Sequence, residues 1–307
     1  MTTIAELRKS FIKETKAPIP TIESPHFEYY LKLYDCDMQL QTKYDVFLDR
    51  FAVLPNMYRS TYYATLDSIL ENIKENSTSY ANFIEQDMLM YERPYTPSKS
   101  KKKLYTSVNC NQKFISLDFS AANFHALLQF DPDFFNGFTT YEEWLCNIHK
   151  DGHLFKESKN FRQVLFGHLN TKRQQKIERY YLGLLMARIH VKYPLDNTEV
   201  IILSNDECIF PYSETLENAI NLVLEEWVAD ATVVFKVRKE IFLLEPTVLP
   251  GGFVKKLSTG KNKFQCVPRN LFAQVYKSYY GIPLDIEKDL IFEHEGRICR
   301  YLDPLHT

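Results

Sequence analysis

Two aspartates each close an apolar, β-type run. Lys113-Phe114-Ile115-Ser116-Leu117 leads into Asp118, and Glu199-Val200-Ile201-Ile202-Leu203 leads through Ser204 and Asn205 into Asp206. Carboxylates are hard oxygen donors. Two of them at the ends of neighbouring strands would make an oxygen-rich site of the kind Mg²⁺ takes, with positions left for phosphate oxygens. Two ions ~3.5–4 Å apart stabilise the attacking and leaving oxygens of a phosphoryl displacement. Glu207 directly follows Asp206 and is an auxiliary ligand candidate. Either Asp alone also suits a turn or a helix cap.

The cations that would meet a phosphate group lie between the two aspartates. Lys159, Arg162, Lys172, Arg173, Lys176 and Arg179 are interleaved with Phe161, Phe166, Tyr180 and Tyr181. The spacing of Arg162, Phe166 and Leu169 puts them on one helix face. A cation there would neutralise a triphosphate, and Phe166 would offer an apolar face to a base or sugar. The alternative is a solvated basic helix with its aromatic stripe in the core. Lys101 and Lys102 belong to a lysine-rich linker, Pro94 to Lys103, which reads either as a solvated loop or as a phosphate-contacting one. His149 and His153 stand four apart but have no H-E-x-x-H motif and no obvious third ligand. His125 reads as a helix residue near Asp118. Ser116 and Ser120 lack the G-x-S-x-G elbow of a hydrolase.

Three stretches, in order, resemble the palm and fingers of family A, DNA polymerase I-like, polymerases. Asp118-Phe119-Ser120-Ala121-Ala122-Asn123-Phe124-His125 is similar to the first palm motif, Asp-Tyr-Ser-Gln-Ile-Glu-Leu-Arg. Arg162-Gln163-Val164-Leu165-Phe166-Gly167 resembles the fingers helix, where Lys precedes Asn-Phe-Gly at the same spacing. Asn205-Asp206-Glu207 resembles the His-Asp-Glu motif. The likeness covers about residues 104–247. It implies two Mg²⁺ ions (or Mn²⁺) on Asp118 and Asp206, a nucleoside triphosphate held by Arg162 and Lys159, and a pocket lined by Phe166, Asn123 and Asn170. It also implies a DNA or RNA primer or template and replication or transcription protein partners; the basic stretch and the linker offer Lys172, Arg173, Lys176, Arg179, Lys101 and Lys102 as the candidates to contact the nucleic acid. Several positions depart from the pattern. Asn123 stands where the family has the Glu that helps exclude ribonucleotides, and Asn170 where it has an aromatic wall. From Gly167 to Asp206 is only 39 residues (206 − 167), far shorter than the family's fingers.

These residues need a scaffold, and the pattern predicts an α+β one with helices packed on one face of an antiparallel sheet. Residues 1–96 read as a helical N-terminal region, thumb-like or accessory. Within it Leu66, Ile69, Leu70 and Ile73 have helical spacing. Residues 104–250 read as the palm, with a short fingers insertion at about 139–195, and 251–307 as a C-terminal extension. That extension holds a helix near Leu271–Tyr280 and a hairpin over Leu290 to Arg300 turning at Glu295-Gly296.

Composition narrows the function classes. Nine glycines and no G-x-x-x-x-G-K-[ST] or G-x-G-x-x-G exclude the Gly-rich phosphate loops. A net charge of −2 means that any nucleic-acid surface must be local. Six scattered cysteines without C-x-x-C predict reduced thiols and a cytosol-like compartment. Neither a signal-peptide core nor a stretch of membrane-span length is present. The weight of Tyr, Phe, Lys and Asn points to an AT-rich coding genome, such as a phage or virus in a host cytoplasm. The function expected is nucleotide addition to a nucleic-acid 3′ end. The alternatives are a non-catalytic, nucleic-acid-binding replication accessory protein on the same scaffold, and a transferase with a non-nucleic acceptor.

Overall fold

Strand β1 (Lys113–Phe119) is the organising element of the molecule, because its side chains alternate between two different environments. It lies inside an antiparallel sheet of order β2-β3-β1-β4-β5-β6. The partners are β2 (Ile202–Leu203), β3 (Glu207–Pro211), β4 (Val237–Pro246), β5 (Phe253–Leu257) and β6 (Asn262–Gln265). The computed structural model describes residues 3–51, 57–97, 103–195 and 200–305, and among them the fold is α+β.

Directly opposed residues of an antiparallel ladder share a face. Ile115, Leu117 and Phe119, with Cys208 and Phe210 beside them, point into the main core under the helices. Phe114, Ser116 and Asp118 point the other way, alongside Ile209 and Glu207 of β3 and Phe242, Glu240 and Arg238 of β4. At one end this second face is apolar. There Phe114, Ile209, Phe242, Leu244, Phe253 and Leu257 pack with Leu104 and Tyr105. Towards Asp118 it becomes polar and open. β4 and β5 pair from Phe242–Leu257 to Pro246–Phe253, so residues 253–265 complete the same sheet rather than standing apart from residues 104–250.

The N-terminal region is built of α1 (Ile4–Thr15), α2 (His26–Leu33), α3 (Asp35–Met38), α4 (Leu40–Phe51), α5 (Tyr58–Asn76) and α6 (Thr78–Glu85). Thr3 and Glu6 cap α1 reciprocally, each side chain accepting from the other's backbone N–H. Its core is aromatic: Phe11, Phe27, Tyr44, Phe47, Phe51, Tyr58 and Tyr62 interlock edge to face or tilted. α7 (Ala122–Phe130), α8 (Tyr141–Ile148), α9 (Lys159–Gly167), α10 (Thr171–Lys192) and α11 (Glu214–Ala229) follow through the middle of the chain.

Two aromatic clusters hold α9 in place. Phe161 stacks on Phe155 at 4.7 Å and meets Tyr62 edge-on, which docks the N-terminal half of α9 on the N-terminal core. Phe166 sits among Phe124, Phe135, Tyr141 and Trp144, which docks the other half beside α7. With both aromatics inward, Lys159, Arg162 and Gln163 are left on the opposite side.

The C-terminal part ends in α12 (Phe272–Tyr280) and a separate hairpin of β7 (Ile291–His294) and β8 (Arg297–Arg300). It is tied to the chain's beginning by Tyr30, whose hydroxyl donates to the Lys288 carbonyl at 2.6 Å, and by the Glu293 N–H on the Pro20 carbonyl. Among the described residues no helix is long and apolar enough to cross a membrane.

Candidate active site

Asp118 is the last polar residue of β1 and lies opposite Glu207 of β3 and Arg238 of β4. Asp206 occupies the turn between β2 and β3. Ser204 organises that turn: its hydroxyl donates to Asp206 Oδ1 at 3.1 Å and accepts from the Glu207 N–H at 2.9 Å. The turn is joined to β1 by the Phe119 N–H, which donates to the Asp206 carbonyl at 2.9 Å. The two aspartates, 88 residues apart in sequence (206 − 118), therefore end on adjacent strands. Both line one cleft of about 400 Å³. Glu207 is drawn towards the sheet face instead, where it accepts from the Ser116 hydroxyl at 2.8 Å.

The cleft also has a cationic lining. Lys159 and Arg162 enter from α9, while Lys236, just before β4, and Arg238, on β4 beside Asp118, come from the sheet. The Arg162 guanidinium lies 5.6 Å from the Tyr141 ring centroid. Arg238 donates to Asp118 Oδ2 at 2.5 Å. Burial pushes the Asp118 carboxyl above the usual carboxylate range; Arg238 and Lys159 oppose this, while the negative charges of Asp206 and Glu207 add to it. Burial also lowers Lys159, helped by the positive charges of Lys16, Arg162 and Arg238 and opposed by Asp118. Asp118 thus feels the negative charges of Asp206 and Glu207 and the positive charges of Arg238 and Lys159, an arrangement in which a cation at the acids and an anion at the bases would each be favoured.

The short turn into α7 is tight. Ser120 donates its N–H to the Lys236 carbonyl at 2.9 Å, and Ala121 takes a left-handed conformation at φ 48°. The Ser120 carbonyl lies 2.7 Å from His125 Nδ1, and burial depresses the His125 imidazole below its usual value. His125 therefore braces the turn that carries Asp118 towards α7.

Not every residue singled out in the sequence converges here. Phe166 is fully buried and offers no face to the cleft, because the same amphipathic pattern that exposes Arg162 drives Phe161, Leu165 and Phe166 into the core. Asn170 is exposed in a left-handed conformation at the start of α10, where its carbonyl accepts the Arg173 N–H, and it does not line the cleft. Arg173 bonds the Gln86 carbonyl and lies over the Phe83 ring, fastening α10 to α6. Arg179 bonds the Gln175 carbonyl one turn back on its own helix, and Lys172 is solvent-exposed. None of Lys172, Arg173, Lys176 and Arg179 lines the cleft. Lys101 and Lys102 lie outside the described residues. His149 accepts the Asp151 N–H and His153 pairs with the Lys150 carbonyl. Among the described residues no three His, Cys, Asp or Glu side chains form a ready-made metal centre.

Several residues that matter here were not singled out. Lys236 and Arg238 are two apart and so share a face of an extended chain, a signal present in Phe235-Lys236-Val237-Arg238. Glu178, hidden in the basic stretch of α10, is almost fully buried. Burial, with the charge of Asp206 adding to it, pushes its carboxyl up to about 8. Asn123, which does line the cleft, donates to Gln174 Oε1 at 3.0 Å and to Glu178 Oε1 at 3.3 Å.

Compared with protein-family models, curated proteins and solved structures, the chain matches none, so the geometry of the cleft carries the functional reading by itself.

Proposed function

We propose that the chain is a nucleotidyltransferase of the polymerase type, with the six-stranded sheet as its palm. The observation that carries the reading is the cleft, with Asp118 and Asp206 on adjacent strand ends and Lys159 and Arg162 facing them from α9. Such a pairing of acids and bases suits a metal-bound triphosphate. In the reaction the 3′-hydroxyl of an acceptor strand attacks the α-phosphate of a nucleoside triphosphate. The new phosphodiester bond forms as the bond to the β-phosphate breaks, and pyrophosphate leaves.

The donor set fits Mg²⁺. Two carboxylates supply hard oxygens, and the open cleft leaves room for water and phosphate oxygens to complete an octahedron. When bound, the metal would neutralise charge on the phosphates and lower the pKa of the attacking hydroxyl. The protein's own groups have three tasks. Lys159 and Arg162 orient the triphosphate and offset its charge. Arg238 holds Asp118 in place, and with a cation on Asp118 its guanidinium would be available to phosphate oxygens. Asp206 is kept beside β1 by its backbone bond and by Ser204.

The Arg238–Asp118 contact also favours a second reading. An arginine that permanently satisfies Asp118 would leave a nucleic-acid-binding protein without chemistry. The discriminating experiment is extension of a labelled oligonucleotide in Mg²⁺ with each of the eight common ribo- and deoxyribonucleoside triphosphates. Incorporation that falls by about a thousandfold in both Asp118→Asn and Asp206→Asn supports the transferase. A wild-type protein that binds the oligonucleotide yet adds nothing in Mg²⁺ or Mn²⁺ overturns it in favour of the accessory role.

A further inference from the structure

The turn that carries Asp206 is weakly held by the sheet. It joins β2 to β3, and β2 is an edge strand of two residues, paired at Ile202–Ile209 and Leu203–Cys208. So short a ladder gives little local stability. A second support reaches the turn from the N-terminal region. Arg93 donates from Nη2 to the Ser204 carbonyl at 3.0 Å and from Nε to the Arg179 carbonyl of α10 at 3.3 Å. It belongs to a strap, residues 91–95, that runs along α10. Tyr91 is buried and meets Tyr180 edge-on at 5.6 Å, and Tyr95 packs on His190. Between those two contacts α10 carries Gly183, a residue type that weakens a helix interior. A Cβ there would lie 2.6 Å from Arg93 Cγ and 2.9 Å from Pro94 Cδ. The glycine lets the strap lie close enough to α10 for one guanidinium to bridge the helix and the turn.

We infer that Arg93 is a positioning residue for the cation site: it fixes the turn on which Asp206 stands, so that this carboxylate meets Asp118 at the spacing a shared metal ion needs. This rests on the cation reading of the cleft. Mg²⁺ tolerates little distortion of its short bonds to oxygen, so both aspartates must be held by their backbone. Asp118 stands on an inner strand that is paired on both sides. Asp206 stands on an edge turn. The Phe119 N–H holds that turn at the Asp206 carbonyl, and Arg93 holds it at the Ser204 carbonyl. Arginine suits the task, because its planar fork offers donors in fixed directions and can hold carbonyls of two elements at once. Arg93 also carries a positive charge, which by itself would repel a cation from the acids. The two roles predict changes of opposite sign when the side chain is removed.

The test is Mn²⁺ binding to the full-length protein, read from the loss of the free-ion EPR signal, with urea unfolding of each variant alongside. Asp206→Asn sets the loss expected when a ligand is removed. Arg93→Ala should weaken Mn²⁺ binding by about tenfold or more, the scale for groups that orient a metal ligand. Arg93→Lys should recover part of that loss, because an ammonium keeps the charge and can hold one carbonyl but lacks the fork. Gly183→Ala should weaken binding too, since the added methyl group pushes the Pro94 ring and the Arg93 stem off α10 while favouring the helix itself. Arg173→Ala is the control. It removes a similar arginine–carbonyl clamp, to Gln86, outside the site, and should leave Mn²⁺ affinity within about twofold. Unchanged binding in Arg93→Ala overturns the assignment in favour of a purely structural strap, and tighter binding overturns it in favour of a charge effect. Equal losses in Arg93→Ala and Arg173→Ala overturn it as well, as a general loosening of α10. In each of these cases the wild type still binds more tightly than Asp206→Asn, and the cation reading of the cleft stands. A folded wild type that binds Mn²⁺ no better than Asp206→Asn overturns both.

Discussion

Helices α9 and α10 follow one another in the chain and are similarly rich in lysine and arginine, yet they do different things with those charges. α9 has two cations that matter, Lys159 and Arg162, and both project into a cleft shared with Asp118 and Asp206. α10 has Lys172, Arg173, Lys176, Arg179, Arg188 and Lys192. One fastens the helix to α6, another bonds its own backbone, and none lines the cleft. What α10 contributes lies on its inner side, where Gln174 and Glu178 hold Asn123. Charge density along a helix is therefore a poor guide to a site. Convergence is the better one, and here convergence is produced by the aromatic residues that set the rotation of α9.

The largest effect should come from disturbing that rotation. Phe166 fills the space between Phe124, Phe135, Tyr141 and Trp144. Phe166→Ala removes a buried ring and leaves a cavity, which costs about 3–5 kcal/mol of stability. Denaturant unfolding measures the loss directly. A residue whose ring faced a nucleotide in the cleft would instead lose substrate affinity at nearly unchanged stability. That outcome would return Phe166 to the pocket and remove the main contrast between the two sides of α9.

Glu178 provides the next test, on the inner side of α10. Its carboxyl is raised to about 8 from an ordinary value near 4.5. A group whose folded pKa is raised gives stability that is fully present below the unfolded pKa and is lost as pH climbs to the folded one. Between about pH 4.5 and 8 the unfolded chain releases a proton that the folded one keeps, so wild-type stability should fall with pH across that window. Glu178→Gln keeps the acceptor that Asn123 uses and cannot ionise. The variant should gain on the wild type as pH rises, by up to several kcal/mol at pH 8. Urea midpoints of both proteins at pH 5 and pH 8 read the difference. Parallel pH profiles would mean that Glu178 is ionised and paired in the folded state.

Much of this arrangement was legible in the sequence, and the reasons differ by element. The helix over Phe272–Tyr280 and the β7–β8 hairpin arise from local spacing and from the Glu295-Gly296 turn, and they form where expected. The meeting of Asp118 with Asp206 was legible because each ends an apolar run, and strand ends of one sheet tend to meet. The inward rotation of Phe166 stood only as the alternative, an aromatic stripe in the core. Its four-residue spacing from Arg162 fits a shared face, and only the surrounding rings decide that the arginine reaches out while the phenylalanine turns in. Lys236 and Arg238 become cleft residues only through the pairing of β4 with β1, a contact with more than a hundred residues between its partners. Glu178 was masked by its neighbours, since nothing local distinguishes a buried acid in a basic run from a solvated one. The division expected at residue 250 falls between β4 and β5, which pair across that turn.

The smallest effect is also the one that compares the two helices most directly. Arg162 and Lys172 differ by only ten positions (172 − 162) and carry the same charge. If binding of a nucleoside triphosphate depended on diffuse attraction, removing either would weaken it about equally, and the losses would shrink together as salt screened them. If it depends on convergence, Arg162→Ala should weaken binding by about tenfold or more, as expected for a charge-assisted contact to phosphate. Lys172→Ala should then stay within about twofold, because an exposed charge outside the cleft is screened by solvent. Arg162→Lys should lie between the two, since an ammonium keeps the charge but loses the bidentate fork. Titration of the three variants with one nucleoside triphosphate at two salt concentrations gives both the ranking and its screening. A ranking with Lys172 equal to Arg162 would show that α10 joins in binding through its field, and the contrast between the helices would then be one of degree.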